Sequence, residues 1–150
     1  MTTLGLFPIR QNAKLPHAAT EGAACHDLYA AFDKPNDLIT LLPGEIGKIP
    51  TGLIFDIPVG FSVRIHSRSG WALKHGVSLV VTEGMIDHDY TDEVFVPMIN
   101  HGSKNFTIRD GDRIAQIELK RVEPVKMGWI QRMPSERGGR KGGFGSTGIR

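Results

Sequence analysis

Glycine and proline interrupt this chain so often that long helices have little room to form. Gly44, Gly47, Gly52, Gly60, Gly70, Gly76, Gly84, Gly102 and Gly111 leave only short segments between them. Short segments bounded by such breakers read as strands and turns. The 18 Gly and 9 Pro among 150 residues exceed the average joint usage of about 12%. Within the segments the side chains alternate. Phe61, Val63 and Ile65 are apolar where Ser62, Arg64 and His66 are polar, and Val94, Val96 and Met98 repeat the pattern. Period two marks a half-buried strand. Ile46 to Ile57 reads as two strands broken at Thr51-Gly52, Val77 to Val81 as a buried strand, and Gly84 to Tyr90 as the tip of a hairpin. Trp71 to His75 is the one helix candidate. These readings predict an all-β, jelly-roll-like sandwich with one short helix.

The length suits one domain with a real core. The net charge of +2 argues against a bulk polyanion such as DNA as the main partner, and no stable nucleic-acid binding is expected. No apolar run approaches the roughly 18 residues that span a bilayer, so no membrane partner is expected. One cysteine, Cys25, permits no intramolecular disulfide. With no leader-like start, the expected location is a reducing intracellular compartment such as the cytoplasm.

Residues 134–150 differ in kind. They hold Pro134, six Gly, Ser146 and Thr147, and almost no bulky apolar side chain. Such a segment cannot offset its own ordering entropy, so the division expected is a β domain over 1–133 and a flexible arm over 134–150. From Arg132 to Arg150 five basic residues face one acidic, a net +4. The run Gly142-Gly143-Phe144-Gly145-Ser146-Thr147-Gly148 combines converging backbone N–H groups with hydroxyl donors, the composition of a phosphate cradle. It also fits a plain disordered tail, although Phe144 is a plausible stacking group.

Four further segments carry groups suited to chemistry. Arg68-Ser69-Gly70-Trp71-Ala72 places donors where a strand gives way to a helix, either as an anion site or as a simple cap. Gly84-Met85-Ile86-Asp87-His88-Asp89-Tyr90 puts two acids about a histidine at a turn, as a general base, as metal-shell oxygens, or only as turn formers. Asp27 is an acid within an apolar run and needs a partner, a salt bridge or a metal. Gly111-Asp112-Arg113-Ile114-Ala115-Gln116 is a turn entering a strand. The six histidines form no zinc pattern with the single cysteine, and there is no Gly-x-Ser-x-Gly elbow.

Each segment is ambiguous alone. Together, in this order and spacing over residues 23–148, the five closely resemble the motifs of the trimeric dUTP pyrophosphatases, or dUTPases. The resemblance implies a homotrimer with interfacial active sites, each closed by a third subunit's arm. It implies Mg²⁺-dependent hydrolysis of dUTP to dUMP and pyrophosphate, lowering dUTP and supplying dUMP for thymidylate synthesis. By resemblance, Asp87 activates the attacking water and Tyr90 packs on the deoxyribose. Gly84 to Ile86, with Thr82 at the opening of the hairpin, read uracil through the backbone. Arg68, Ser69, Gly70 and Gln116 hold phosphate oxygens, and Asp27 touches Mg²⁺ through water. Phe144 stacks on uracil, while Gly145, Ser146, Thr147 and either Arg137 or Arg140 take the γ-phosphate.

The chain departs from the family pattern at Cys25, at His66-Ser67 ahead of Arg68, at Trp71, at Thr82-Glu83 and at Thr91-Asp92. Its arm is also about two residues longer. Two competing readings follow. One is a dCTP deaminase, or bifunctional deaminase–pyrophosphatase, of the same fold. It needs a catalytic Glu, and Glu83 and Glu93 are present, but neither sits in a deaminase-like motif, and the intact Ile86-Asp87-His88-Asp89-Tyr90 run argues for the pyrophosphatase. The other is a moonlighting protein whose basic arm contacts a regulator or nucleic acid.

Overall fold

The computed structural model describes residues 2–134. Their elements are β1 (Gly5–Pro8), β2 (His26–Tyr29), β3 (Leu38–Leu41), β4 (Ile46–Asp56), β5 (Phe61–Ser67), α1 (Ser69–His75), β6 (Val77–Leu79), β7 (Gly84–Ile86), β8 (Glu93–Asn100), β9 (Phe106–Arg109) and β10 (Arg113–Arg121). Two four-stranded antiparallel sheets form, ordered β1-β4-β8-β6 and β2-β10-β5-β7, together with the pair β3-β9. This is the jelly-roll-like all-β architecture that the glycine spacing and strand alternation predict. Leu28, Val63, Ile65 and Ile117 from one sheet meet Ile49, Val94, Val96 and Met98 from the other in one buried cluster. Each such side chain stabilises the fold by about 1.5–3 kcal/mol when fully buried. No helix among the described residues is long and apolar enough to cross a membrane.

Three local readings are corrected. The break expected at Thr51-Gly52 is an irregularity inside one strand: the pairing of β4 with β8 shifts between Pro50 and Ile54. Gly52 takes φ +66° there, a conformation that costs glycine little. Side chains satisfy backbone groups at the shift. Thr51 Oγ1 donates to the Val94 carbonyl at 2.6 Å, and Glu93 accepts from the Gly52 N–H at 2.9 Å. Second, β6 ends at Leu79, and Val80 and Val81 lie exposed. Third, the tip expected at Gly84 to Tyr90 carries a short strand of its own, Gly84 to Ile86. It pairs with β5, while β6 pairs with β8. Alternation identifies a strand but not its partner.

Asn100 ties the end of β8 to two other segments. It is fully buried, donates to the carbonyls of Leu41 and Lys104 at 2.9 and 2.8 Å, and accepts from the Gly102 N–H at 2.9 Å. Asn100→Ala should therefore lower unfolding free energy by about 1–3 kcal/mol, since it strands the buried Leu41 carbonyl and removes two part-buried bonds to Lys104 and Gly102. A urea unfolding midpoint unchanged by this variant would contradict that role.

Candidate active site

The sheet β2-β10-β5-β7 carries two groups of polar residues. The first spans β2 and β10. Asp27 is 2% exposed. Its Oδ2 accepts from Arg113 Nη1 at 3.1 Å and its Oδ1 from Gln116 Nε2 at 3.2 Å. A buried carboxylate demands such partners. The register supplies them, because Gln116 lies directly opposite Asp27. Arg68 closes the group from the end of β5: its Nη1 donates to the Arg113 carbonyl at 2.8 Å, and its guanidinium lies over the Trp71 ring at 5.5 Å. Arg68 is also the N-cap residue of α1, with no side-chain cap bond, so Ser69 and Gly70 open the helix without one.

The second group surrounds β7. A cleft of about 410 Å³ is lined by Lys48, Ile86, Asp87, Tyr90 and Phe95, among others. Gly84 permits this segment to lie close on β5, where a Cβ would stand 3.1 Å from Ile65 Cβ. Asp87 is exposed. Its carbonyl accepts from the Tyr90 N–H at 3.2 Å, which forms the turn between them. The Tyr90 hydroxyl donates to the Glu93 carbonyl at 2.9 Å, so the ring is fixed at the cleft wall. The Lys48 ammonium sits 3.8 Å above the Phe95 ring centre. Thr82 lies in the exposed bend that precedes β7.

One chain thus brings Asp27, Gln116 and Arg68 together, and separately Ile86, Asp87 and Tyr90. It does not bring the two sets together. Asp27 lies on one edge strand and Asp87 follows the other, three strand spacings or about 14 Å apart, while Gln116 on β10 and Arg68 after β5 belong to the strands between. Arg137, Arg140, Phe144, Gly145, Ser146 and Thr147 lie outside the described residues, as does all of the expected arm over 134–150 except Pro134. Arg113, Lys48 and Phe95 join the sites without having been singled out from sequence. Arg113 had a signal, since a buried Asp27 needs a cation and Arg113 stands in the turn-to-strand motif. Lys48 and Phe95 are remote in sequence and had none.

Glu93 has a different task from the catalytic one weighed for it. It accepts two hydrogen bonds from Arg10, one of them from Nη2 at 3.0 Å, and another from Gly52. The Glu93 hydrogen bond raises Arg10 above its ordinary pKa, against the opposing effect of burial. Cys25 is half-buried, and burial followed by nearby Glu118 pushes its thiol pKa up. Its thiolate is therefore scarce at neutral pH. Alkylation by iodoacetamide should run slower than on a free cysteine and accelerate as pH rises; neutral-pH rates equal to those of the free amino acid would contradict this.

A family model described as dUTPase matches residues 11–148. The chain belongs to the dUTPase family. A deoxyuridine 5'-triphosphate nucleotidohydrolase of Bartonella quintana is 43% identical over 146 residues, covering 92% of this chain and 78% of that protein. One from Desulfitobacterium hafniense is 45% identical over 139 residues, covering 91% and 88%. Among solved structures, a mutant of the Staphylococcus bacteriophage 80alpha dUTPase with dUpNHpp superposes with TM-score 0.85 at 22% identity, covering 99% of this chain and 100% of that one. A mutant dUTPase from phage phi11 of S. aureus, described for its coordination of a structural Mg(II) ion, gives 0.77 at 21% identity, with coverage of 89% and 100%. These structural likenesses bear on the fold, and they agree that it is the dUTPase one.

Proposed function

We propose that this chain hydrolyses dUTP to dUMP and pyrophosphate, with Asp87 as the base. The observation that carries the reading is the Asp87–Tyr90 turn in its cleft. It sets an exposed carboxylate beside an aromatic ring whose hydroxyl is already engaged. In this reading the Tyr90 ring packs on the deoxyribose face and leaves no room for a 2′-hydroxyl. Asp87 takes a proton from water, the water oxygen bonds to the α-phosphorus, and the bond from that phosphorus to the α,β-bridging oxygen breaks. Pyrophosphate leaves with the bonding electrons. Gly84, Ile86 and Thr82 would present polar groups to uracil, and Arg68, Ser69, Gly70 and Gln116 would hold phosphate oxygens. Positioning and charge neutralisation of this kind are the main protein contribution to phosphoryl chemistry.

The donor set near Asp27 suits Mg²⁺ in one way only. No group of three His, Cys, Asp or Glu able to hold a metal occurs among the described residues. Asp27 has both oxygens engaged but each retains a lone pair. It fits an ion carried mainly by triphosphate and water, touched by the carboxylate through a water molecule. Bound there, Mg²⁺ would neutralise phosphate charge. Chelation should raise KM for dUTP, and added Mg²⁺ should restore it; a chelator-insensitive KM would contradict this role.

The separation of Asp27 from Asp87 supports a site completed by a second copy, as in a homotrimer. The arm, over 134–150, would close it, with Phe144 on uracil and Gly145, Ser146, Thr147 and Arg137 or Arg140 on the γ-phosphate. The physiological role in this reading is to lower dUTP and supply dUMP in a reducing intracellular compartment. Hydrolysis in isotopically heavy water tests the chemistry. The heavy oxygen should appear in dUMP. Its appearance in pyrophosphate would mean attack at another phosphorus.

A further inference from the structure

Two of the chain's departures from the family pattern, His66 and Glu83, meet in space. β5 pairs Ile65 with Gly84, and just beyond that pair the His66 and Glu83 side chains approach each other. β10 pairs Gln116 with both His66 and Asp27. One row of side chains therefore crosses the sheet from Asp27 through Gln116 and His66 to Glu83. The neighbouring row holds Glu118, Arg64 and Met85. Arg64 Nη1 donates to Glu83 Oε2 at 3.1 Å. The His66 ring lies 3.7 Å from Glu83 Oε1 by Nδ1 and 3.4 Å from Glu118 Oε1 by Nε2. Opposite charges adjacent on one strand face support the pairing of those strands.

β7 needs that support. It has three residues and forms a sheet edge, and the bend at Val80–Glu83 leads into it. We propose that Glu83 is a positioning residue. Through Arg64 and His66 it clamps β7 to β5 and so fixes the backbone groups of Gly84–Ile86 that face the pyrimidine ring. The proposal rests on β7 being the base-binding segment of a dUTP-hydrolysing enzyme. Glu83 itself touches no substrate.

Glu83→Ala and Arg64→Ala should each raise KM for dUTP about threefold to fivefold, with kcat nearly unchanged, in line with partly exposed pairs. Preference for dUTP over dCTP should fall in parallel. The double variant should be no worse than either single, because both remove the same contact. Glu83→Gln, which keeps an acceptor for Arg64, should lose less KM than Glu83→Ala. Without nucleotide, amide hydrogen exchange at Gly84–Ile86 should quicken in Glu83→Ala. A wild-type enzyme inert toward dUTP would defeat the proposed function, and the exchange rates would then decide the clamp alone. Unchanged exchange would overturn the clamp. So would lower thermal stability with unaltered KM and selectivity.

Discussion

Asp87→Asn should lower turnover of dUTP by about a hundredfold to ten-thousandfold, the range a positioned general base supplies. The substitution keeps the side-chain shape and removes the charge and the basic oxygen. No described residue uses the Asp87 carboxylate as a hydrogen-bond or ion-pair partner. Its loss therefore strands no buried group, and the fold should survive. Calorimetric titration with a non-hydrolysable dUTP analogue should show binding close to that of the parent. Near-normal turnover would mean that another group activates the water. Lost binding with a lost rate would instead make Asp87 a binding residue.

Removing residues 136–150 should abolish nearly all turnover, by about a hundredfold or more, the scale on which misplaced reacting groups lose rate. Every strand of the buried cluster lies before this segment, so circular dichroism of the truncated chain should match the full one. Within the segment, Phe144→Ala should raise KM about tenfold, because stacking of a base on an aromatic ring contributes roughly 1–3 kcal/mol. An active truncated enzyme would remove the arm from the mechanism. Restored activity on mixing the truncated chain with an Asp87→Asn chain would place base and arm on different subunits.

Much of this architecture was legible because its cause is local. Val63 and Ile65, Val94 and Val96 alternate with polar neighbours, and alternation is a property of single strands. The helix over Trp71 to His75 was legible for the same reason, and it begins at Ser69. What could not be read was long-range. Nothing within Gly84 to Ile86 says that β5 is its partner, and nothing near Thr51-Gly52 says that Glu93 and Val94 will receive the free groups of an irregular strand. The same holds for the site. Asp27 was conspicuous as an acid among apolar residues, but its ties to Arg113 and Gln116 cross 86 and 89 positions. Glu93 carries no motif of its own, and its ties to Arg10 and Gly52 cross 83 and 41 positions. Lys48 reaches the cleft only because β4 pairs with β8 and sets it over Phe95.

The most direct measurement is pyrophosphate release from dUTP, dCTP, dTTP and UTP in the presence of Mg²⁺. Release from dUTP, with little from the other three, is the predicted result. It would establish at once the reaction, the reading of uracil by the β7 segment and the exclusion of a ribose by Tyr90. No release from dUTP, or equal release from dUTP and UTP, would contradict the assignment of the Asp87–Tyr90 cleft.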